Sequence, residues 1–269
     1  MKKHHLCSIL LILLPVASPA WTIISRKRSN KSTSLTMNFL DDIGAALSGG
    51  KLVSQTKLPY SPPLCPSLSV ASRNRVLAVQ ERAFSFTGED FDVYDVDSRT
   101  PFATVRGAML HLPGKDKMRI QTSSGEVAIL DRVVMAVTPT YDIYREGQNG
   151  KLGWIEKKVI SLTDTFDFYL EGSGGFGVTG LFKPPPAYRL EGDFIDRNFV
   201  MKNNNNEVVA KISKDSLVQF DDFNHFQVQV AEGMDALLVI ACLCAIDEEF
   251  DEEHKKAKEK RDGKGGWFS

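Results

Sequence analysis

The chain has 269 residues, 42% of them hydrophobic and 25% charged, with a formal net charge of −1. This is an ordinary globular composition, long enough for one large domain or two small ones. Residues 1–37 carry six basic side chains and no acidic ones, which leaves 27 basic against 34 acidic, a net of −7, for the rest; that balance gives no electrostatic reason to expect nucleic-acid binding.

At the N-terminus, Met1-Lys2-Lys3-His4-His5 precedes an apolar run over 6–16 and the small-residue stretch Ala17-Ser18-Pro19-Ala20. These are the three parts of a signal peptide, residues 1–20, cut before Trp21. Residues 21–37 are basic and hydroxyl-rich, the composition of a transit peptide. An aromatic residue at the cut followed by such a stretch resembles the bipartite leaders of algae with complex plastids, which implies delivery to the plastid stroma. The alternatives are secretion or the endomembrane lumen with a basic stub, and translation from Met37. A domain without a disulfide plan suits the stroma better than an oxidising compartment.

Residues 38–70 read as an N-terminal arm and Pro-rich linker. Phe39, Leu40, Ile43 and Leu47 fall at helical spacing before Ser48-Gly49-Gly50, which predicts a short helix. Pro59, Pro62, Pro63 and Pro66 then forbid regular structure, so this part is a linker or an extended arm.

Strand signals begin near residue 74 and recur every 8 to 12 residues, the spacing of an all-β sandwich or barrel. Strands are predicted over 74–80, 91–96, 101–106, 117–121, 126–130, 133–144, 153–160, 165–170, 177–182, 188–191, 193–201, 208–212 and 226–231. Asp97-Ser98-Arg99, Ser123-Ser124-Gly125 and residues 145–150 are the turns of three hairpins.

Residues 236–246, between Asp235 and Asp247, are apolar on every side of a helix, which belongs to a helix enclosed all round. Its length is roughly 16 Å, short of the ~20 residues a bilayer needs. Leu237, Leu238, Ile240, Ala241 and Leu243 are therefore expected at the centre of a protein core. Cys242 and Cys244 sit on the same helix with side chains roughly 200° apart, so they cannot bridge each other and read as packing residues. With Cys7 in the leader and Cys65 in the Pro-rich stretch, the four cysteines form no disulfide framework. About twelve strands and one wholly apolar helix predict a mainly β fold, a closed antiparallel barrel around a central C-terminal hydrophobic helix. Closure also removes sheet edges. The tail, 251–269, starts acidic and turns basic, with Asp251 to Lys255 and Glu252 to Lys256 at i,i+4, a helical extension.

Several stretches occur in a telling order: Phe91-Asp92-Val93-Tyr94-Asp95-Val96-Asp97 with Phe102-Ala103-Thr104-Val105-Arg106-Gly107, Met118-Arg119-Ile120 before the Gly125 turn, Tyr141-Asp142-Ile143-Tyr144, and Val228-Gln229-Val230-Ala231-Glu232-Gly233-Met234-Asp235 running into the apolar helix. Their order resembles the LURP-one-related proteins, over a barrel domain of residues 71–250. The resemblance implies a fold similar to the tubby C-terminal domain and the phospholipid scramblases, twelve strands around a hydrophobic helix. It also implies a binding or membrane-tethering module. The leader, arm and charged tail depart from the short plant members, so no role in plant defence is carried over.

No catalytic constellation is legible. His111, His225 and His254 lie at no metal-ligand spacing, and there is no HExxH, CxxC or EF-hand loop. Gly172 to Gly177 is glycine-rich but lies between strands rather than opening a helix. The alternating Asp92, Asp95 and Asp97 read as a solvated strand face. No cofactor or metal is expected. Basic clusters are the candidate sites: Lys115, Lys117 and Arg119, and Lys151, Lys157 and Lys158, for the headgroup of an anionic phospholipid or phosphoinositide. A protein partner is the other expectation, with the chain a monomer. Alternative functions are scramblase-like lipid transfer through the apolar helix and a protein-interaction scaffold in the plastid.

Overall fold

Alternation of side chains along each strand builds this molecule. The computed structural model describes residues 50–64, 70–81, 90–107, 117–125, 127–133, 135–145, 150–158, 165–173, 183–194, 198–213 and 225–261. The leader, the helix expected over 38–47, the strand expected over 177–182 and residues 262–269 lie outside these. Among the described residues the elements are β1 Arg75–Glu81, β2 Phe91–Asp95, β3 Thr100–Arg106, β4 Lys117–Thr122, β5 Val127–Arg132, β6 Thr140–Arg145, β7 Lys151–Lys157, β8 Thr165–Leu170, β9 Tyr188–Asp193, β10 Asn198–Asn203, β11 Val208–Ser213, β12 His225–Val230 and a helix, α1, Ala236–Arg261.

Every strand pairs antiparallel with its sequence neighbours. β12 also pairs with β1, from Arg75 opposite Val230 to Gln80 opposite His225, so the sheet closes into a twelve-stranded barrel. β4 shows why: Met118, Ile120 and Thr122 are buried while Lys117, Arg119 and Gln121 face solvent. One strand face is thus apolar, and closure turns all such faces toward a common axis. α1 fills that axis. No residue from Leu237 to Ile246 is more than 2% exposed, and they form one apolar cluster with inward residues from all twelve strands. Leu237, Leu238, Ile240, Ala241 and Leu243 all lie in it, as the all-round apolar pattern required. Cys242 and Cys244 are unbridged and buried, and burial pushes both thiols up.

Two strand boundaries differ from the sequence reading. Val133 and residues 135–139 belong to a hairpin connection rather than the start of β6: Ala136 N–H donates to Val133 O at 3.3 Å, and Val133 N–H reaches Thr140 O at 2.9 Å. Residues 193–201 do not form one strand, because Asp193 ends β9 opposite Asn198, the first residue of β10. In both places a run of β-prone residues hides an interruption that cross-strand pairing imposes.

The tail continues α1 without a break to Arg261. Phe250 packs on Phe166 and Phe194 at the barrel rim, with ring centroids 6.3 and 5.8 Å apart. Arg132 meets Glu249 at 3.5 Å and Lys157 meets Glu253 at 2.7 Å. Beyond that point Ala257 and Lys258 are exposed. Among the described residues no helix is long and apolar enough to cross a membrane.

Candidate functional site

The chemistry that the apolar helix cannot supply is gathered where it begins. Asp235 is 0% exposed and caps α1: its Oδ1 accepts the backbone N–H of Leu237 at 3.1 Å and of Leu238 at 3.3 Å. Carboxylate at a helix N-terminus is favoured because those N–H groups lack intrahelical partners and carry the positive end of the dipole. The other oxygen, Oδ2, accepts Leu64 N–H at 2.6 Å and the Tyr60 hydroxyl at 3.0 Å. One buried side chain thus joins the core helix to the Pro-rich arm.

That arm lies across the barrel end as a strap. Val53 N–H donates to Val208 O at 2.8 Å and Gln55 N–H to Glu232 O at 2.7 Å. Leu64 is buried, and Leu52, Leu58 and Tyr60 pack against the core cluster. Gly233 permits the close approach. Its φ is +76°, and a Cβ there would stand 1.9 Å from Gln55 O.

Two grooves flank the strap. One, about 580 Å³, runs between the strap and the β9 and β10 ends, past Gln55, Lys57, Tyr188, Asn203, Asn204 and Glu207. The other, about 390 Å³, lies on the opposite side of Pro59, past Tyr60, Ser61, Arg145, Lys151, Glu171 and Ser173. Tyr188 is 1% exposed and its hydroxyl has no hydrogen-bond partner among the described residues.

Of the sequence-predicted basic residues, Lys115 lies outside the described residues. The barrel separates the others. Lys151 begins β7 and Lys157 ends it, so they stand at opposite ends, roughly 20 Å apart. Lys117 starts β4 at the same end as Lys157 and Lys158. Each described lysine meets an internal carboxylate: Lys117 with Asp131 at 2.8 Å, Lys151 with Asp142 at 2.7 Å, Lys157 with Glu253 at 2.7 Å, Lys158 with Asp167 at 3.0 Å. Arg119 faces outward on β4 opposite Ile129. Asp167, 0% exposed, also accepts Arg189 Nε at 2.8 Å, and that bond holds the guanidinium above its usual pKa.

Sequence reading took Asp235 only as a charge bounding the apolar run and gave no role to Tyr60, Arg145 or Asp167. Only Asp235 had a usable signal, an N-cap residue directly before an apolar run. The other three acquire meaning from partners more than twenty residues away.

Burial and then the Asp235 charge raise the phenol pKa values of Tyr60 and Tyr188, and burial and then the Asp167 charge raise that of Tyr169. A raised acid keeps its proton in the fold, so its contribution to stability is complete below the unfolded pKa, about 8.5 for a thiol and about 10 for a phenol. Above those values the unfolded chain releases protons that the folded one retains. The melting temperature is expected to fall steadily above about pH 9. Phenolate absorbance from the buried tyrosines should appear together with loss of ellipticity. Ionisation of every tyrosine in a protein that still melts cooperatively would contradict this.

A family model described as LURP-one-related matches residues 75–247, which spans β1 to the end of the apolar half of α1. Among solved structures, the X-ray structure of a protein from Arabidopsis thaliana is similar, with 15% sequence identity and a TM-score of 0.50. The match covers 70% of this chain and 98% of that one. At that identity the likeness concerns the fold. No curated protein matches the chain.

Proposed function

Because the chain belongs to the LURP-one-related family, we propose that it is a non-enzymatic binding module that meets an anionic lipid headgroup on the outside of its barrel. The observation that carries this reading is the filled interior: α1 and the inward strand residues occupy the axis where a barrel of this kind would otherwise enclose a ligand. Binding is left to the exterior and the ends, where the strap grooves and the basic side chains are.

The ion pairs around the basic residues do not forbid a headgroup. The Lys117 side chain is 54% exposed, and a surface pair of that kind is worth about 0–1 kcal/mol, so an anionic surface can replace the internal partner there, whereas Lys158 is tied to the buried Asp167. Flotation of the protein with vesicles tests the proposal. Recovery is expected with anionic vesicles and not with neutral ones at physiological salt; recovery that does not depend on lipid charge removes the headgroup reading.

Scramblase-like transfer would require residues 236–246 to enter a bilayer, and they are the enclosed part of the core. A protein partner is favoured by one observation. Met135 and Val137, in the β5–β6 connection, are 95% and 102% exposed, and large apolar side chains presented so fully on an internally hydrogen-bonded turn are suited to an apolar pocket.

A further inference from the structure

One half-buried basic residue meets no carboxylate among the described residues. Arg145 ends β6 opposite Ala128 and is half-buried beside the strap. Its terminal nitrogen donates to the strap's Pro62 carbonyl. Among the described residues its shielded Nε has no hydrogen-bond partner and no carboxylate lies within ion-pair distance of its guanidinium. A guanidinium carries five N–H donors in a planar fork suited to two oxygens of one anion. A neutral carbonyl answers one of them and none of the charge. A shielded donor left unsatisfied is costly, and it calls for an acceptor that the described residues do not provide.

Arg145 lines the 390 Å³ groove, and Lys151 lines the same groove. Lys151 holds Asp142 at 2.7 Å but Glu171 only at 3.7 Å, and the Glu171 side chain is 54% exposed. Glu171 can therefore swing into solvent and yield its place to a stronger anion. The Asp142 pair stays and keeps Lys151 in position over the Trp154 ring, 4.9 Å from its centroid. The groove then presents an unmatched planar cation, a second cation with one exchangeable partner, and the hydroxyl-bearing Ser61 and Ser173 at its margin.

We infer that this groove binds a phosphate group, held by the Arg145 fork and by Lys151 in place of Glu171. The inference rests on the reading that the barrel takes an anionic ligand on its exterior, and it gives that ligand an address. The phosphate can belong to a lipid headgroup or to a soluble ester. The shared chemistry is an oxyanion that offers two oxygens to Arg145 and a third to Lys151. The site lies at the strap end, away from Lys117, Lys157 and Lys158.

Titration calorimetry of the full chain with inorganic phosphate, and flotation with phosphatidylcholine vesicles with and without phosphatidic acid, test it. Wild-type protein should bind phosphate. If the source is lipid, phosphatidic acid vesicles should also recover the protein, and inorganic phosphate should compete them off. Arg145→Met should lower the affinity about tenfold or more, as expected for a lost charge-assisted pair. Lys258→Met, in the exposed tail of α1 at the other end, should stay within about twofold. Since Arg145→Met also removes the Pro62 contact, Ser173→Asp supplies an independent check: it adds a repelling charge at the groove and leaves the arginine in place, and should weaken binding similarly. Binding that neither Arg145→Met nor Ser173→Asp weakens overturns the site while leaving exterior headgroup binding intact. Absence of both phosphate binding and recovery on phosphatidic acid vesicles overturns the site and the headgroup reading together.

Discussion

Leu238→Asp is expected to leave no soluble, cooperatively folded protein. Leu238 is 0% exposed, in the first turn of α1, and its surroundings are the inward apolar faces of the strands. A carboxylate there loses its hydration without gaining a partner. It must either remain charged in an apolar interior or take up a proton and stay an unsatisfied polar group, and either costs several kcal/mol. Native domains have only about 5–15 kcal/mol of stability in total. The methyl groups removed leave a further void in a packed core, adding about 2 kcal/mol or more. Because α1 is shared by all twelve strands, the loss cannot be confined to one hairpin. Circular dichroism and gel filtration of the variant, expressed without residues 1–37, decide the matter. A compact, β-rich Leu238→Asp protein with a cooperative melt would show that α1 is not the support of the barrel.

Asp235→Ala should be the most damaging change to a polar residue at the strap end, lowering stability by about 3–5 kcal/mol. One part of the effect is the lost N-cap, worth about 0.5–2 kcal/mol. The other is the loss of two charge-assisted bonds, from Leu64 N–H and Tyr60 OH, at about 1.5–3 kcal/mol each less what water recovers. Tyr60→Phe removes only one of these donors and should cost about 1 kcal/mol. The two variants also differ in kind: with Asp235 gone the strap loses its anchor, so limited proteolysis should cut within residues 51–64 well before the barrel strands. Denaturant melts give the stabilities and mass spectrometry the cut sites. An Asp235→Ala protein within about 1 kcal/mol of wild type, with an uncut strap, would mean that the backbone bonds of Val53 and Gln55 hold the strap by themselves.

Sequence by itself determined the local periodicities, and with them which faces had to be buried. Met118, Ile120 and Thr122 alternate with Lys117, Arg119 and Gln121 in the chain as they do across the sheet, because the side-chain period of a strand is two residues whatever it pairs with. Residues 236–246 are apolar on all sides, and such a helix is stable only when sheathed, so a set of half-apolar strands had to close around it. The barrel and its central helix were legible for that reason, and the family resemblance from the order of motifs such as Phe91-Asp92-Val93-Tyr94 and Gly233-Met234-Asp235. So was the helical continuation of the tail, whose charges repeat at i,i+4.

Tertiary structure alone decided where polar groups meet. Prolines between 59 and 66 said only that the arm is neither helix nor strand. That it straps the barrel depends on Asp235, 171 residues beyond Leu64, and on Gly233 sparing the space that Gln55 occupies. The lysines read alike in sequence, yet Lys151 and Lys157 occupy opposite barrel ends and each has a carboxylate that register or the returning helix brings to it. Arg145 is distinguished by the lack of such a carboxylate among its described neighbours. Apolar burial follows from the period of the chain, whereas each charge is given its partner by contacts between distant segments, which no local pattern encodes.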